Sequence, residues 1–410
     1  MSAAPGGRGA AERRATLADW QEAPGNRWSF CHVSELIPTA RVSRGEAPVR
    51  PLEAGPPLAL DAVRVEHRGR RLSVRAVLEE GYGDALAVVA GGRLVAEWYG
   101  PEMHPGRTHL LMSVSKSLTA TLAGVLAGEG LLRPEDLVGD HVEALRATSF
   151  EGCSVRDLLD MRAGTSFGED YDDPASDARR YEQVSSWRPR SDPGLPPDLY
   201  SYIPGLANAG AHGGRFDYRS ILTDVLGWVL EEAAGARFAD LLSERLFARI
   251  GAEHDAEVTV DEGGFALADG GICTTLRDLA RLAALQLDGG VAGGHQVVPR
   301  AWIDETTARS DELVDAYRHG AGVAHPGVEM YHNNWWVHDT AGQVYSGLGI
   351  HGQLLHVDRR AGVAVVWFST WPTALDRALH DLQLATAAAL VRAAGEARGG
   401  PRPGSGGSGG

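Results

Sequence analysis

Of the 39 lysines and arginines in this 410-residue chain, all but one are arginine, and the exception, Lys116, stands three residues after Ser113. Arginine stays charged at any accessible pH, whereas a buried lysine can shift toward neutrality and act as a base. A serine with an amine base one helical turn away is a nucleophile prepared for acyl transfer. After Lys116, Leu118, Leu122, Val125 and Leu126 recur at helical spacing, so a helix is expected to begin near Ser113. Residues three apart share one face of a helix, which brings the Ser113 hydroxyl within reach of the Lys116 amine. The positive end of the helix dipole disfavours an ammonium there and favours the alkoxide that develops on serine. The same helix end offers unpaired N–H groups that can hold an oxyanion. Ser115 and Ser117 compete as nucleophiles by composition, but neither has this one-turn relation to Lys116.

Such a site needs a second proton carrier for the leaving group. Tyr218, in Phe216-Asp217-Tyr218-Arg219-Ser220, lies where a loop region meets a helix. A phenol held near Lys116 can relay the Ser113 proton to a leaving amine or alcohol. The alternative, a tyrosine at a helix start with its hydroxyl in water, stays open on position alone.

The elements around these residues are partly legible. Ala85 to Ala90, Gly91-Gly92 and Arg93 to Tyr99 read as a β-hairpin with a Gly-Gly turn. Gln353 to Val357 and Gly362 to Ser369 read as a second hairpin. Helices are expected around 72–80, from Ser113 with Gly130 as its cap, from Ser154 behind a capping box, and over 220–235 and 238–250. Two more are expected from Thr275, and over 374–394. Residues 164–216 are rich in Pro, Gly, Asp and aromatics without periodicity, and are read as a substrate-side loop wall. Strands at both chain ends with helices between imply an α+β fold, one antiparallel sheet assembled from both ends and covered by helices. The expected division is a disordered arm at 1–16, a sheet domain from 17–140 and 266–395, an inserted mostly helical lobe at 141–265 and a flexible linker tail at 396–410.

Composition narrows the function. A formal charge of −15 argues against nucleic acid or an anionic membrane as partner. No apolar run approaches the ~18 residues a transmembrane helix needs, and Met1 to Arg14 lacks the apolar core of a secretory signal. Cys31, Cys153 and Cys273 are far apart and odd in number, which reads as reduced and cytoplasmic. The fifteen histidines show no metal-ligand spacing, so neither metal nor other cofactor is expected. Trp335-Trp336 can line an acyl pocket or form a buried strand pair.

Three stretches together carry a resemblance: Ser113-Val114-Ser115-Lys116, Tyr218-Arg219-Ser220, and Ser346-Gly347-Leu348-Gly349-Ile350-His351-Gly352-Gln353. They resemble the three motifs of the serine β-lactamase and D,D-peptidase superfamily, in its esterase-like branch, and within it the 6-aminohexanoate-dimer (nylon-oligomer) hydrolases. Trp20-Gln21-Glu22, Asn26-Arg27-Trp28, His109 to Met112, Glu169-Asp170-Tyr171 and Arg277 to Arg281 extend the resemblance from about Leu17 to the last helix.

The resemblance implies a serine β-lactamase-like fold and a serine amidohydrolase with esterase side activity, acting on a small-molecule amide or ester as a homodimer. Ser113 is then the acylated nucleophile, Lys116 its base and Tyr218 the relay, with the backbone N–H groups of Ser113 and Ile350 as oxyanion hole. Tyr171 falls on a loop tyrosine that closes over the substrate and bonds the scissile amide nitrogen. Glu182 falls where more active members carry an aspartate that meets the substrate's terminal ammonium, and Trp187 on a pocket-wall tryptophan. Asp269 stands where the family usually has asparagine, a carboxylate that can hold Lys116 protonated or attract a cationic substrate end. His351 is read either as a substrate contact or as a strand histidine satisfied by backbone. The third motif lacks the Lys-Thr-Gly lysine and the second has Ser220 in place of asparagine, and both losses argue against penicillin turnover.

Overall fold

The computed structural model of the protein describes residues 15–171, 173–320, 325 and 327–398. Most of the expected arm and the tail from 399 lie outside the described residues. Where the two meet the fold they are ordered: Ala15 is buried, Thr16 bonds to Asp19, and the last helix runs through Arg398.

Glycine turns and apolar strands build the main sheet. Its N-terminal part is β1 (Gly83–Ala90) and β2 (Arg93–Tyr99). They are joined at Gly91 and Gly92, whose φ angles of 58° and 75° only glycine adopts without strain. The C-terminal part is β3 (Met330–His332), β4 (Trp335–Asp339), β5 (Val344–Gly349), β6 (Gln353–Asp358) and β7 (Val363–Ser369). The order β3-β4-β5-β6-β7-β1-β2 places the last strand of the chain against the first of the sheet, antiparallel, from Val363 opposite Ala90 to Trp367 opposite Leu86. This is the α+β sheet assembled from both chain ends. β1 and β7 are buried at every residue, which is why they read as continuous apolar runs and not as alternation.

Four helices matter for the site. α1 (Val114–Gly128) is buried from Val114 to Leu126. It lies between β5 and α2 (Ile221–Ala234), so it is a core helix with no solvent stripe. Each buried leucine on it contributes on the order of 2 kcal/mol. Small residues let its neighbours close in: a Cβ on Gly124 would stand 2.6 Å from the Trp302 ring. Past its end Gly130 takes a φ of 76°, as expected of a helix stop. α3 (Leu276–Leu287) is capped by Thr275, which accepts the Asp278 N–H, and packs on β7 and β1. α4 (Arg377–Arg398) begins three residues later than expected, after Asp376 takes the N–H groups of Ala378 and Leu379.

The stretch 164–216 is less irregular than its sequence suggests. A helix, Asp177–Val184, is capped by Ser176, and a turn, Leu199–Tyr202, by Asp198. The expected helical lobe also donates a strand. Ala256–Thr259 pairs with Thr39–Val42 and with Ile272–Thr275 in a small sheet whose other edge is Thr108–Leu110. That small sheet carries the chain into Ser113.

Candidate active site

The turn into α1 is tight. Met112 adopts a φ of 47°, a left-handed conformation that a side chain tolerates only when its surroundings enforce it. β5 crosses so close that a Cβ on Gly349 would stand 2.8 Å from the Leu111 carbonyl oxygen, and one on Gly347 2.8 Å from Ser117 Oγ. Those two glycines are why the third motif can lie against the first.

Lys116 is 1% exposed, and its Nζ donates to Ser113 Oγ at 2.9 Å. The same nitrogen donates to the Asp269 carbonyl at 3.0 Å and faces the Asp269 carboxylate at 3.4 Å. Tyr218 is 8% exposed, its phenol faces Ser113 and Lys116, Lys116 Nζ lies 5.2 Å from its ring centroid, and the ring stacks on Trp336 at 5.3 Å. The water-exposed alternative for Tyr218 is thereby removed. The competing serines are engaged elsewhere. Ser115 Oγ accepts the Ile272 N–H at 3.2 Å, and Ser117 Oγ donates to the Asn334 carbonyl at 2.9 Å.

Two cavities meet at Ser113. The larger, about 190 Å³, runs between Trp336, Trp371, Leu348 and His380. The smaller, about 40 Å³, is walled by Phe167, Glu182, Trp187 and Asp269. Ile350, Tyr171 and Glu169 line both. Ser113 and Ile350 each stand at the start of a helical turn, where the N–H has no intrahelical acceptor. Trp187 is fixed by its indole N–H on Thr259 Oγ1 at 3.0 Å. Of the tryptophan pair, Trp336 lines the larger cavity, while Trp335 packs on Tyr345 in the core.

Three expectations need correction. The first is the neutral lysine. Burial alone would push Lys116 down, but the Tyr218 oxygen, the Asp269 carboxylate and, after them, Glu169 outweigh it and hold its pKa above the ordinary lysine value. The resting group is an ammonium; the helix dipole is overruled by acids that arrive from other elements. The second is Glu182 as a free anion for a substrate ammonium. Its carboxylate accepts from Arg179 Nη1 at 2.7 and 3.0 Å, Arg188 Nε at 2.8 Å and Gln21 at 3.2 Å. Two guanidinium groups already neutralise it. Because Arg179 also bonds the Tyr171 carbonyl, Glu182 braces the Tyr171 loop. The third is His351 as a substrate contact. Its Nδ1 bonds the Trp371 carbonyl at 2.8 Å and its N–H the Ala374 carbonyl at 2.9 Å. It lines neither cavity that holds Ser113. Burial pushes its pKa down to about 4, so it stays neutral.

Three residues at the site had no role in the sequence reading. Glu169 accepts the Tyr171 hydroxyl and the Ser220 N–H, and burial raises its pKa. Tyr181 bridges Asp224, at 2.7 Å, and Asp269, at 3.2 Å. The one available signal was Asp224 itself, an acid inside the apolar run of α2, where a charged residue needs a reason. Among the described residues no cluster of His, Cys, Asp or Glu is arranged to hold a metal. Nor is any helix there long and apolar enough to cross a membrane.

Comparison with known proteins gives the chain its relatives. The chain is 40% identical over 382 residues to a 6-aminohexanoate-dimer hydrolase of Paenarthrobacter ureafaciens, covering 92% of this chain and 93% of that one. A Bacillus anthracis structure, named provisionally as a 6-aminohexanoate-dimer hydrolase, superposes with a TM-score of 0.84 at 25% identity, over 96% of this chain and 99% of that one. A family VIII carboxylesterase shares the fold at 15% identity, with a TM-score of 0.58 over 82% of this chain and 99% of its own. Residues 74–390 match the Beta-lactamase family model, and the chain belongs to that family.

Proposed function

We propose that this protein is a serine amidohydrolase that cleaves linear amides of the 6-aminohexanoate-dimer type through an acyl-enzyme on Ser113. What carries the reading is a buried amine 2.9 Å from a serine hydroxyl that opens on two cavities. The scissile bond sits where the cavities meet, with the aliphatic halves of a linear substrate extending into them. Ser113 Oγ attacks the carbonyl carbon, and the N–H groups of Ser113 and Ile350 receive the developing oxyanion. Because Lys116 rests as an ammonium, attack proceeds from the form in which the Lys116–Tyr218 pair has lost one proton. The pair takes the Ser113 proton, and the Tyr218 phenol hands it to the leaving nitrogen. Tyr171, released from Glu169, orients that nitrogen. Water then hydrolyses the ester by the same route in reverse, freeing Ser113.

A second reading, a carboxylesterase acting on short acyl esters, is favoured by one observation: Glu182 is already paired with two arginines and does not single out an amino-terminated acyl chain. The same proposal takes the enzyme to be cytoplasmic and homodimeric, with its three free, buried cysteines suited to a reducing compartment. A nitrophenyl ester and 6-aminohexanoate dimer, each tested for kcat/KM and for an acyl mass on the Ser113 peptide, decide the matter. Turnover of the dimer with the label on Ser113 is expected. Labelling by ester alone leaves the esterase, and no label on Ser113 removes both.

A further inference from the structure

Lys116 is faced by acids from three separate elements. Its own helix contributes Ser113, and the loop before the helix 177–184 contributes Glu169. The segment around the start of α2 contributes Tyr218 and Asp224, and the loop before the strand 272–275 contributes Asp269. Two of these carboxyls are linked to each other. Tyr181 Oη lies 2.7 Å from Asp224 Oδ2 and 3.2 Å from Asp269 Oδ1, and Asp224 Oδ1 accepts the Asp269 N–H at 3.0 Å. Asp224 is 0% exposed, Tyr181 6% and Asp269 7%.

A hydroxyl has one hydrogen and cannot donate to both carboxylates at once. If both were ionised, one of these contacts would set oxygen lone pairs against each other in a buried site of low dielectric. One carboxyl therefore carries a proton. Asp269 touches the Lys116 ammonium, which stabilises its charge. Asp224 has no cation within hydrogen-bond distance among the described residues. The pattern that satisfies every atom runs from Asp224 O–H to Tyr181 oxygen, then from Tyr181 O–H to the Asp269 carboxylate, which faces Lys116.

We propose that Asp224 is a buried carboxylic acid which, through the Tyr181 hydroxyl, fixes Asp269 as the anion that holds Lys116 as an ammonium. These three positioning residues then set the pH at which Ser113 becomes acylable. Burial raises Asp224 well above the usual carboxylate range, and the neighbouring Asp269 charge adds to it. This inference deepens the proposed function and rests on its assignment of Ser113 and Lys116.

The lone lysine makes the inference directly measurable, since protein labelled with 13C,15N-lysine gives a single side-chain signal. In the parent that signal is expected to remain an ammonium to roughly pH 10. In Asp269→Asn, which keeps the backbone contact and an oxygen for Tyr181, its midpoint should fall by about one pH unit or more, a tenfold or greater loss of proton affinity. The acid limb of kcat/KM for a nitrophenyl ester should move down with it. Asp224→Asn replaces a neutral acid by a neutral amide and should leave the lysine midpoint where it is in the parent. An Asp269→Asn titration superposing on the parent's overturns the proposal, as does an Asp224→Asn shift as large as that of Asp269→Asn. Should either variant not fold, 13C-aspartate labelling of the parent decides: at least one carboxyl protonated at pH 7 supports the proposal, and none overturns it. Failure of the underlying reading is seen separately, as an acyl label on a residue other than Ser113.

Discussion

Behind the turn joining β3 to β4, Arg156, Asp160, Glu305 and His332 form a closed set. His332 bonds Asp160 at 2.8 Å and stands 3.5 Å from Glu305, and Arg156 bonds Glu305 at 2.6 Å. Two acids meet two bases, and Asp160, Glu305 and His332 each shift toward the charged form. Burial would raise Asp160, but His332 and Arg156 hold it below the usual carboxylate range. Burial would lower His332, but Asp160 and Glu305 lift it to about 9. Around Lys116 the numbers differ: a single cation faces Asp269, Asp224 and Glu169. Here the surplus acids are pushed up, toward holding protons. Matched charges make a clamp whose protons stay put, and unmatched ones make a store whose protons can move. Only the second arrangement suits acyl transfer.

The sharpest way to break this contrast is to keep the charge at position 116 and remove the mobile proton. Lys116→Arg retains a cation that cannot deprotonate. It should lose at least about 10³-fold in kcat/KM, as should Lys116→Ala, which fits the usual weight of a general base. An arginine variant with near-parental turnover would mean that Lys116 acts only as a fixed charge.

The clamp should instead show itself in stability. The folded-state pKa of His332, about 9, lies above its ordinary 6.5. Its contribution is therefore complete below pH 6.5 and is lost as pH rises to about 9, some 3 kcal/mol in all. Urea unfolding between pH 6 and 9.5 should show that fall in the parent, and a flatter profile from a lower starting point in His332→Gln. Parallel profiles would mean that the clamp contributes no pH-dependent stability.

This difference also marks what could be read from the chain alone. Ser113 and Lys116 were legible because one helix holds both, and local spacing fixes their distance. The two hairpins were legible because glycine turns and apolar runs are local signals. Glu169, Tyr181, Asp224 and Asp269 converge from four elements, and no spacing in the sequence relates them. The charge on Lys116 follows from that convergence, so reasoning from burial and the helix dipole gave the wrong sign. Glu182 failed for a similar reason. Its partners Arg179 and Arg188 are neighbours in sequence, but only the fold turns both toward it and leaves Tyr171 hanging on Arg179.

Glu182 also offers the finest discrimination between a clamp and a working site. As a brace for Arg179 and the Tyr171 loop, its removal acts on every substrate that needs Tyr171 in place. Glu182→Ala should therefore reduce kcat/KM roughly tenfold, about 1.4 kcal/mol, for 6-aminohexanoate dimer and for the matching amide without its terminal amino group. Were Glu182 an ammonium site, only the amino-terminated substrate would suffer, and through KM. Arg179→Met separates the two further. It leaves the Glu182 carboxylate with Arg188 as its one guanidinium partner and drops the Tyr171 carbonyl, so a brace predicts a loss with both amides, whereas an ammonium site predicts a gain for the amino-terminated one.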